Sequence, residues 1–388
     1  MTNARQPLET VYVPADRFTR STVSEFGAEA LRLLEAHAPD ADAFVDAFGV
    51  PGDVAERTRE RTIARLQRQP VEDLRVDFED GYGVRADDEE DHHAEEAARA
   101  VLEARGDRTA PPWFGLRVKS FHDGGLQRRS LRTLERFAST LVDAAGASPD
   151  GFVVTFPKVN DPTQVAAFAD ALGDLESKLG LARRTMRFEV QVETPRSVLG
   201  ADGAAAAGRF LEAADGRITA MHLGVFDYTA SLGLMPWEQR LDHPANDFAR
   251  RVLQVALAGT GVWISDGSSN VVPANDRTEV VRAAWRRHAD HVRHSLSGGF
   301  YQGWDLHPAH LASRYAAVYG WLLEHLGDAT ERVAAWREGA PARGVLDEPA
   351  TITSLLRYLR LVVSSGAVEE TDVLSDTGLS REDLLAGG

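Results

Sequence analysis

A short apolar, strand-like run, then a polar cluster, then a helical stretch: this unit recurs along the chain and constrains its fold more than any other feature. The runs fall at 11–13, 74–78, 114–118, 152–156, 188–192, 220–225, 262–264 and 300–304. Segments between them, at 87–103, 131–144, 163–179 and 279–294, have helical composition and periodicity. Strands alternating with helices build parallel βαβ units, and eight such units predict a closed α/β barrel, the (β/α)8 TIM barrel, rather than an open sheet. The eighth run is the least strand-like, so the count of eight is partly inferred from the closure it would complete.

Residues 17–70 read as helical and precede the second run, 309–336 read as a helix after the eighth, and a further helical tail follows. The expected division is a catalytic barrel over 1–335 with an N-terminal helical insertion, and a C-terminal helical extension over 336–388. That extension suits a lid, an oligomer contact, or plain cover for apolar barrel surface. A chain of 388 residues with 43% hydrophobic side chains has ample material for one large core. No stretch reaches the roughly 20 uninterrupted apolar residues of a membrane helix. The opening MTNARQPLETVYVPADRF has no apolar leader segment, so secretion is not expected. The absence of Cys removes disulfides, thiolate nucleophiles and Cys-based zinc sites, and weakly favours the cytoplasm. A net charge of −16 argues against a nucleic-acid partner and against adhesion to an anionic membrane. Lys occurs only at Lys119, Lys158 and Lys178, so each survivor marks a place where a compact, titratable ammonium is wanted.

Active sites of parallel barrels sit at the carboxyl ends of the strands, so the residues ending each run carry the functional reading. The second run ends in Asp77-Phe78-Glu79-Asp80-Gly81, the third in Arg117-Val118-Lys119, and the fourth in Phe156-Pro157-Lys158. The fifth gives Glu193, the sixth Asp227, the seventh Asp266-Gly267-Ser268-Ser269-Asn270, and the eighth Asp305-Leu306-His307. Charged groups converging at one level are hard to explain by solvation alone. Glu193 and Asp227, at the ends of adjacent strands, form the expected metal pair, because two carboxylates plus water and substrate oxygens are what Mg²⁺ prefers, with Mn²⁺ an alternative. The competing explanation is that each carboxylate caps a helix or pairs with an Arg. Arg117 offers a planar fork for a substrate carboxylate, or an ion pair with Glu79 or Asp80. Lys158 could bind an anion, pair with an acid or, less readily, form a Schiff base. The Ser268 loop is a weak phosphate signal, and His307 a weak candidate for substrate contact. His92-His93 reads as a solvated helix face and His222 as a core histidine.

The ordered motifs resemble the HpcH/HpaI aldolase and citrate lyase β-chain family, within the phosphoenolpyruvate/pyruvate barrel superfamily that also holds malate synthase. The matching pieces are VYVPADR, VDFEDG, LRVKS, FPKV, VETPRSVLG, LGVFDYTASLG and GFYQGWDLHPAH, in order from residue 11 to about 310. The resemblance implies Mg²⁺ on Glu193 and Asp227, substrate on Arg117, and a metal water shell supported by Asp77, Glu79 and Asp80. This chain departs from it at Gly81-Tyr82, where Ala-Val is usual, and at Lys119, where Asn is common. Both changes put the usual acyl-CoA substrates in doubt.

The expected function is a Mg²⁺-dependent carbon–carbon lyase or aldolase, or the reverse condensation, through a metal-stabilised enolate. Its substrate would be a small oxo acid or an acyl-CoA, and the protein would be a homo-oligomer. Asp80, Glu79 and Arg117 are the catalytic candidates; Lys158, Asp77, Ser268 and His307 join Arg117 as substrate-binding candidates. The alternatives are phosphoenolpyruvate-dependent phosphotransfer on the same barrel and non-catalytic metabolite binding. A zinc hydrolase is disfavoured because clustered His ligands are lacking.

Overall fold

The computed structural model describes residues 5–342, 344 and 347–386, so the remaining residues of the leader and tail segments read above lie outside it. The recurring runs form strands β1 (Glu9–Pro14), β2 (Asp73–Asp77), β3 (Trp113–Arg117), β4 (Phe152–Phe156), β5 (Arg187–Val192), β6 (Ile218–Leu223), β7 (Trp263–Ser265) and β8 (Gly303–Asp305). They pair in parallel in the order β7-β6-β5-β4-β3-β2-β1-β8. Between β7 and β8 the ring closes through loop backbone: Asp266 N–H donates to Gln302 O at 2.8 Å and Trp304 N–H to Gly267 O at 3.3 Å. The Gln6 amide also spans this seam, donating to Ile264 O at 3.0 Å and to Gln302 Oε1 at 2.9 Å. The (β/α)8 barrel read from the alternation is therefore the fold.

Between β1 and β2 lie α1 (Thr22–His37), α2 (Ala41–Phe48) and α3 (Ala55–Arg68), the N-terminal helical insertion. Then α4 (Asp87–Gly106), α5 (Gly124–Ala145) and α6 (Pro162–Lys178) follow β2, β3 and β4 in turn. The short α7 (Pro195–Val198) and α8 (Ala206–Ala213) follow β5, while α9 (Val225–Ser231) and α10 (Pro244–Leu257) follow β6. Next, α11 (Thr278–Ser297) follows β7, and α12 (Pro308–Glu324) and α13 (Leu326–Arg337) follow β8. The C-terminal extension consists of α14 (Pro349–Ser365), α15 (Glu370–Thr377) and α16 (Arg381–Ala386).

Local chemistry sets these boundaries. Asp123 caps α5 by accepting from Gly125 N at 2.7 Å and Leu126 N at 2.9 Å, and Gly146, at φ 71°, ends it. Asp161, Pro162 and Gln164 form a capping box that starts α6. Two strands differ from the expected runs. The sixth ends earlier, at Leu223, and α9 begins at Val225, so Asp227 sits in a first helical turn rather than on a strand end. The eighth starts later because Phe300 N–H bonds to Ser295 O at 2.9 Å, so the run's first residue finishes α11 instead. The expected helix over 309–336 is two helices that break at His325.

Alternation along the strands divides the barrel into two layers. Leu74, Val76, Phe188, Val190 and Val192 face the helices and are buried in the main core. The intervening positions point inward and are polar: Asp73, Arg75 and Asp77 on β2, Glu189 and Gln191 on β5. The barrel axis is thus lined with charge, concentrated at its two ends. The extension packs on the outer helices, with Tyr319 Oη donating to Ser365 O at 3.1 Å and Arg61 reaching Glu369 at 2.8 Å. Among the described residues, no helix is long and apolar enough to cross a membrane.

Candidate active site at the barrel mouth

The last residue of β2 and the last of β3 lie side by side in register, and their side chains join. Arg117 Nε and Nη2 donate to the two oxygens of Asp77 at 2.6 and 2.7 Å. The backbone N–H groups of Glu79 and Gly81 add two bonds at 2.9 Å, fixing the Asp77 carboxylate in the turn after β2. Burial alone would push Asp77 up, but the Arg117 charge outweighs it and holds the carboxyl below its ordinary range. The sequence reading paired Arg117 with substrate, Glu79 or Asp80; its fork is in fact filled by Asp77. Only Nη1 turns toward the other acids, 3.7 Å from Glu79 and 3.9 Å from Asp80. Tyr12 of β1 lies beneath the guanidinium, 5.1 Å from ring centre to Cζ.

Lys158, just after β4, is the junction of the mouth. Its Nζ donates to Glu79 Oε1 at 2.6 Å and to Asp80 Oδ1 and Oδ2 at 2.7 and 2.8 Å, and it lies 3.3 Å from Asp227 Oδ2. Its backbone N–H donates to Glu193 Oε1 at 2.6 Å. Lys158 adopts φ 53°, a left-handed conformation that non-glycine residues rarely hold without a reason. Glu193 leaves β5 directly into the Thr194–Ser197 capping box, which fixes where it points. A Cβ on Gly224 would stand 2.3 Å from Glu193 Cβ and 2.5 Å from its Oε2, so a glycine after β6 is what makes room for this carboxylate. Asp227 approaches from the first turn of α9, its side chain 44% exposed.

The electrostatics are lopsided. Among the described residues, the Lys and Arg side chains that face Asp77, Glu79, Asp80, Glu193 and Asp227 are Arg117 and Lys158. Burial pushes Glu193 up to about 8; Lys158 opposes the rise, and Asp227 adds to it. Burial, and then its hydrogen bond with Asp80, takes Glu79 to about 7 against the pull of Arg117 and Lys158. Two carboxyl groups thus titrate near neutrality beside a guanidinium and an ammonium, an arrangement suited to binding cations and moving protons.

Two sequence candidates stand apart from this cluster. Ser268 is buried in the seam by its bridge to Trp304, and Ser269 bonds to His291 at 3.1 Å, so that loop makes no open phosphate cradle. His307 caps α12, its Nδ1 accepting from Ala309 N at 3.1 Å. Burial lowers its pKa, against the nearby charge of Glu29. His222 is a core histidine as read, accepting from the Trp304 indole at 2.9 Å. Lys119 is buried, donating to Phe78 O at 2.6 Å and lying 2.8 Å from Glu90. Sequence reasoning missed Tyr12 and Gly224, although both lie inside quoted motifs, because their contacts with Arg117 and Glu193 are made across the barrel fold.

A second cluster resembles a metal site only in composition. Among the described residues, His288, Asp305 and His310 bring potential ligand atoms within 4.8 Å of one another. The two rings are stacked, 4.3 Å apart and 6° from parallel, so their in-plane lone pairs cannot converge on one ion. Arg314 already grips Asp305 at 2.6 and 3.0 Å. This cluster is a structural pairing.

A (β/α)8 barrel with charged strand ends at its carboxyl mouth defines the class. Within it, the chain belongs to the family described as Domain of unknown function (DUF6986), which it matches over residues 1–387. No curated protein matches it in sequence. A citrate lyase structure from Burkholderia xenovorans LB400 is similar, with TM-score 0.62 and 19% identity, covering 97% of each chain. The magnesium/glyoxylate complex of Haloferax volcanii malate synthase is similar at TM-score 0.53 and 14% identity, covering 98% of this chain and 100% of that one. Its lead(II) complex gives TM-score 0.55 at 14% identity, covering 99% and 92%. The resemblance read from the motif order thus holds at the level of the barrel fold.

Proposed function

We propose that this barrel is a carbon–carbon lyase or condensing enzyme for a small oxo acid, dependent on Mg²⁺ or Mn²⁺ held by Glu193 and Asp227. The observation that carries the reading is the surplus of acid at the mouth, centred on a buried Glu193 whose carboxylate, among the described residues, has no Lys or Arg nitrogen within ion-pair distance. Hard oxygen donors from two side chains suit such an ion, and Gly224 clears the space in which Glu193 stands. Once bound, a divalent ion would supply Lewis acidity, polarising the substrate oxygens and stabilising enolate charge. The fold shared with citrate lyase and with a malate synthase that holds magnesium and glyoxylate supports this chemistry.

The chain's own residues then divide the work. Asp77 locks Arg117 by two of its nitrogens, leaving Nη1 to face a substrate carboxylate. Lys158 supplies a second positive group. Asp80, ionised and half exposed, is the base placed to take a hydroxyl proton as the carbon–carbon bond breaks. Glu79, near 7, can exchange that proton at neutral pH. The test is incubation with Mg²⁺ and a panel of free 4-hydroxy-2-oxo acids and hydroxy-acyl-CoA thioesters, following pyruvate or glyoxylate release. The expected result is turnover abolished by EDTA and by Glu193→Gln. Turnover that survives either would sink the mechanism.

A further inference from the structure

We infer that Lys158 is a tethered cation that neutralises the mouth carboxylates until a divalent ion takes over, so that its ammonium must leave for the ion to be held tightly. The inference rests on the reading of Glu193 and Asp227 as the ion's ligands. Lys158 touches both: through its backbone N–H to Glu193 Oε1 at 2.6 Å, and through Nζ, 3.3 Å from Asp227 Oδ2. The same ammonium draws in Glu79 and Asp80 at 2.6 to 2.8 Å. One side chain therefore gathers acids from the loop after β2 and from α9, with its backbone on the carboxylate that follows β5. No other Lys or Arg nitrogen lies within ion-pair distance of Asp227 among the described residues.

The backbone explains how one residue serves both sides. At φ 53° the N–H of Lys158 turns toward Glu193 while the side chain runs back toward β2. A flexible four-carbon stem ends in a point charge, which can swing away without moving that N–H. An ion at the same carboxylates and an ammonium among them repel, so the two compete for one place. Swung out, the ammonium remains tethered at the mouth, free to meet an anionic substrate.

Substitution by Asn or Gly removes the ammonium and keeps a residue type that tolerates the left-handed backbone, so the Glu193 contact is preserved. Mn²⁺ affinity would be measured by electron paramagnetic resonance of the free ion, on wild type, Lys158→Asn, Lys158→Gly and Glu193→Gln. We expect both Lys158 variants to bind Mn²⁺ on the order of tenfold tighter than wild type, or more, from the lost repulsion. They should also gain more in melting temperature on saturation with Mn²⁺. Glu193→Gln should bind weakly. If wild type binds and Glu193→Gln does not, while the Lys158 variants bind no tighter than wild type, the competition is refuted and the metal site stands. If neither wild type nor the Lys158 variants bind Mn²⁺, or Glu193→Gln binds as well as wild type, the metal reading falls and this inference falls with it.

Discussion

Glu189 and Glu193 belong to the same inward row begun by β5, yet they occupy opposite electrical extremes. Glu189, at the amino-terminal half of the barrel, accepts from Arg75 Nε and Nη2 at 3.0 and 2.8 Å and from Thr155, with His222 3.2 Å away. Burial would raise it, but Arg75 and then His222 outweigh burial and hold the carboxyl well below its ordinary range. Asp73 completes this lower cluster through Arg75 and through Thr10 at 3.0 Å. Glu193, equally buried, has one backbone donor and rises to about 8. The wide cavity lies at the Glu189 end. About 1270 Å³ opens there, bordered by Trp113, Trp263, Arg75, Glu189 and His222. The two ends thus differ in pairing: Glu189 has a guanidinium on both oxygens, whereas Glu193 has no Lys or Arg nitrogen within ion-pair distance among the described residues, and the wide cavity does not track that difference.

If that contrast is right, damage to the lower cluster should show in the fold and damage to the upper one in binding. The largest effect is expected for Arg75→Met, which strands two buried carboxylates and should cost about 3–5 kcal/mol in urea unfolding. A loss below ~1 kcal/mol would break the comparison. Gly224→Ala comes next: its methyl must displace Glu193, so stability should fall by about 1–3 kcal/mol and Mn²⁺ binding should weaken, both measurable on one preparation. A pH series on the metal-free protein sharpens the contrast further. Glu193 is raised from 4.5 to about 8, so its contribution to stability is present in full below 4.5 and lost as pH rises through about 8. Melting temperature should therefore decline over that window, with Glu79 adding to the decline between 4.5 and about 7. Glu193→Gln should flatten the slope, and an unchanged slope would assign the decline elsewhere. The smallest effect is expected for His307→Ala, which removes the cap of α12 and should cost ~1 kcal/mol with the Mn²⁺ affinity unmoved.

The barrel was legible because eight apolar, strand-like runs alternating with helical stretches have few other solutions. The strand ends were legible for a related reason: Asp77 and Arg117 stand near the ends of strand-like runs, and Glu193 directly follows one. Other features depend on what no window of sequence contains. Asp227 follows a strand that stops at Leu223 because Gly224 and a helix start intervene. That Arg117 spends its fork on Asp77 follows from the register of β2 against β3, a long-range fact. Lys158 was marked by the scarcity of lysine, but its left-handed backbone and its grip on acids after β2, after β5 and in α9 come from packing. Ser268 and His307 show the reverse, since polar residues after a strand can simply be consumed by the seam or by a helix cap.

The seam between β7 and β8 has a bearing on how the chain is made. Glu9 of β1 pairs with Gly303 of β8, about 290 residues later, the kind of distant contact that slows folding. During synthesis β1 emerges long before its second neighbour exists, and the Gln6 clasp has nothing to fasten. Until β8 is delivered, the nascent barrel is an arc with two exposed edges, β1 and β7, each a template for pairing with another chain.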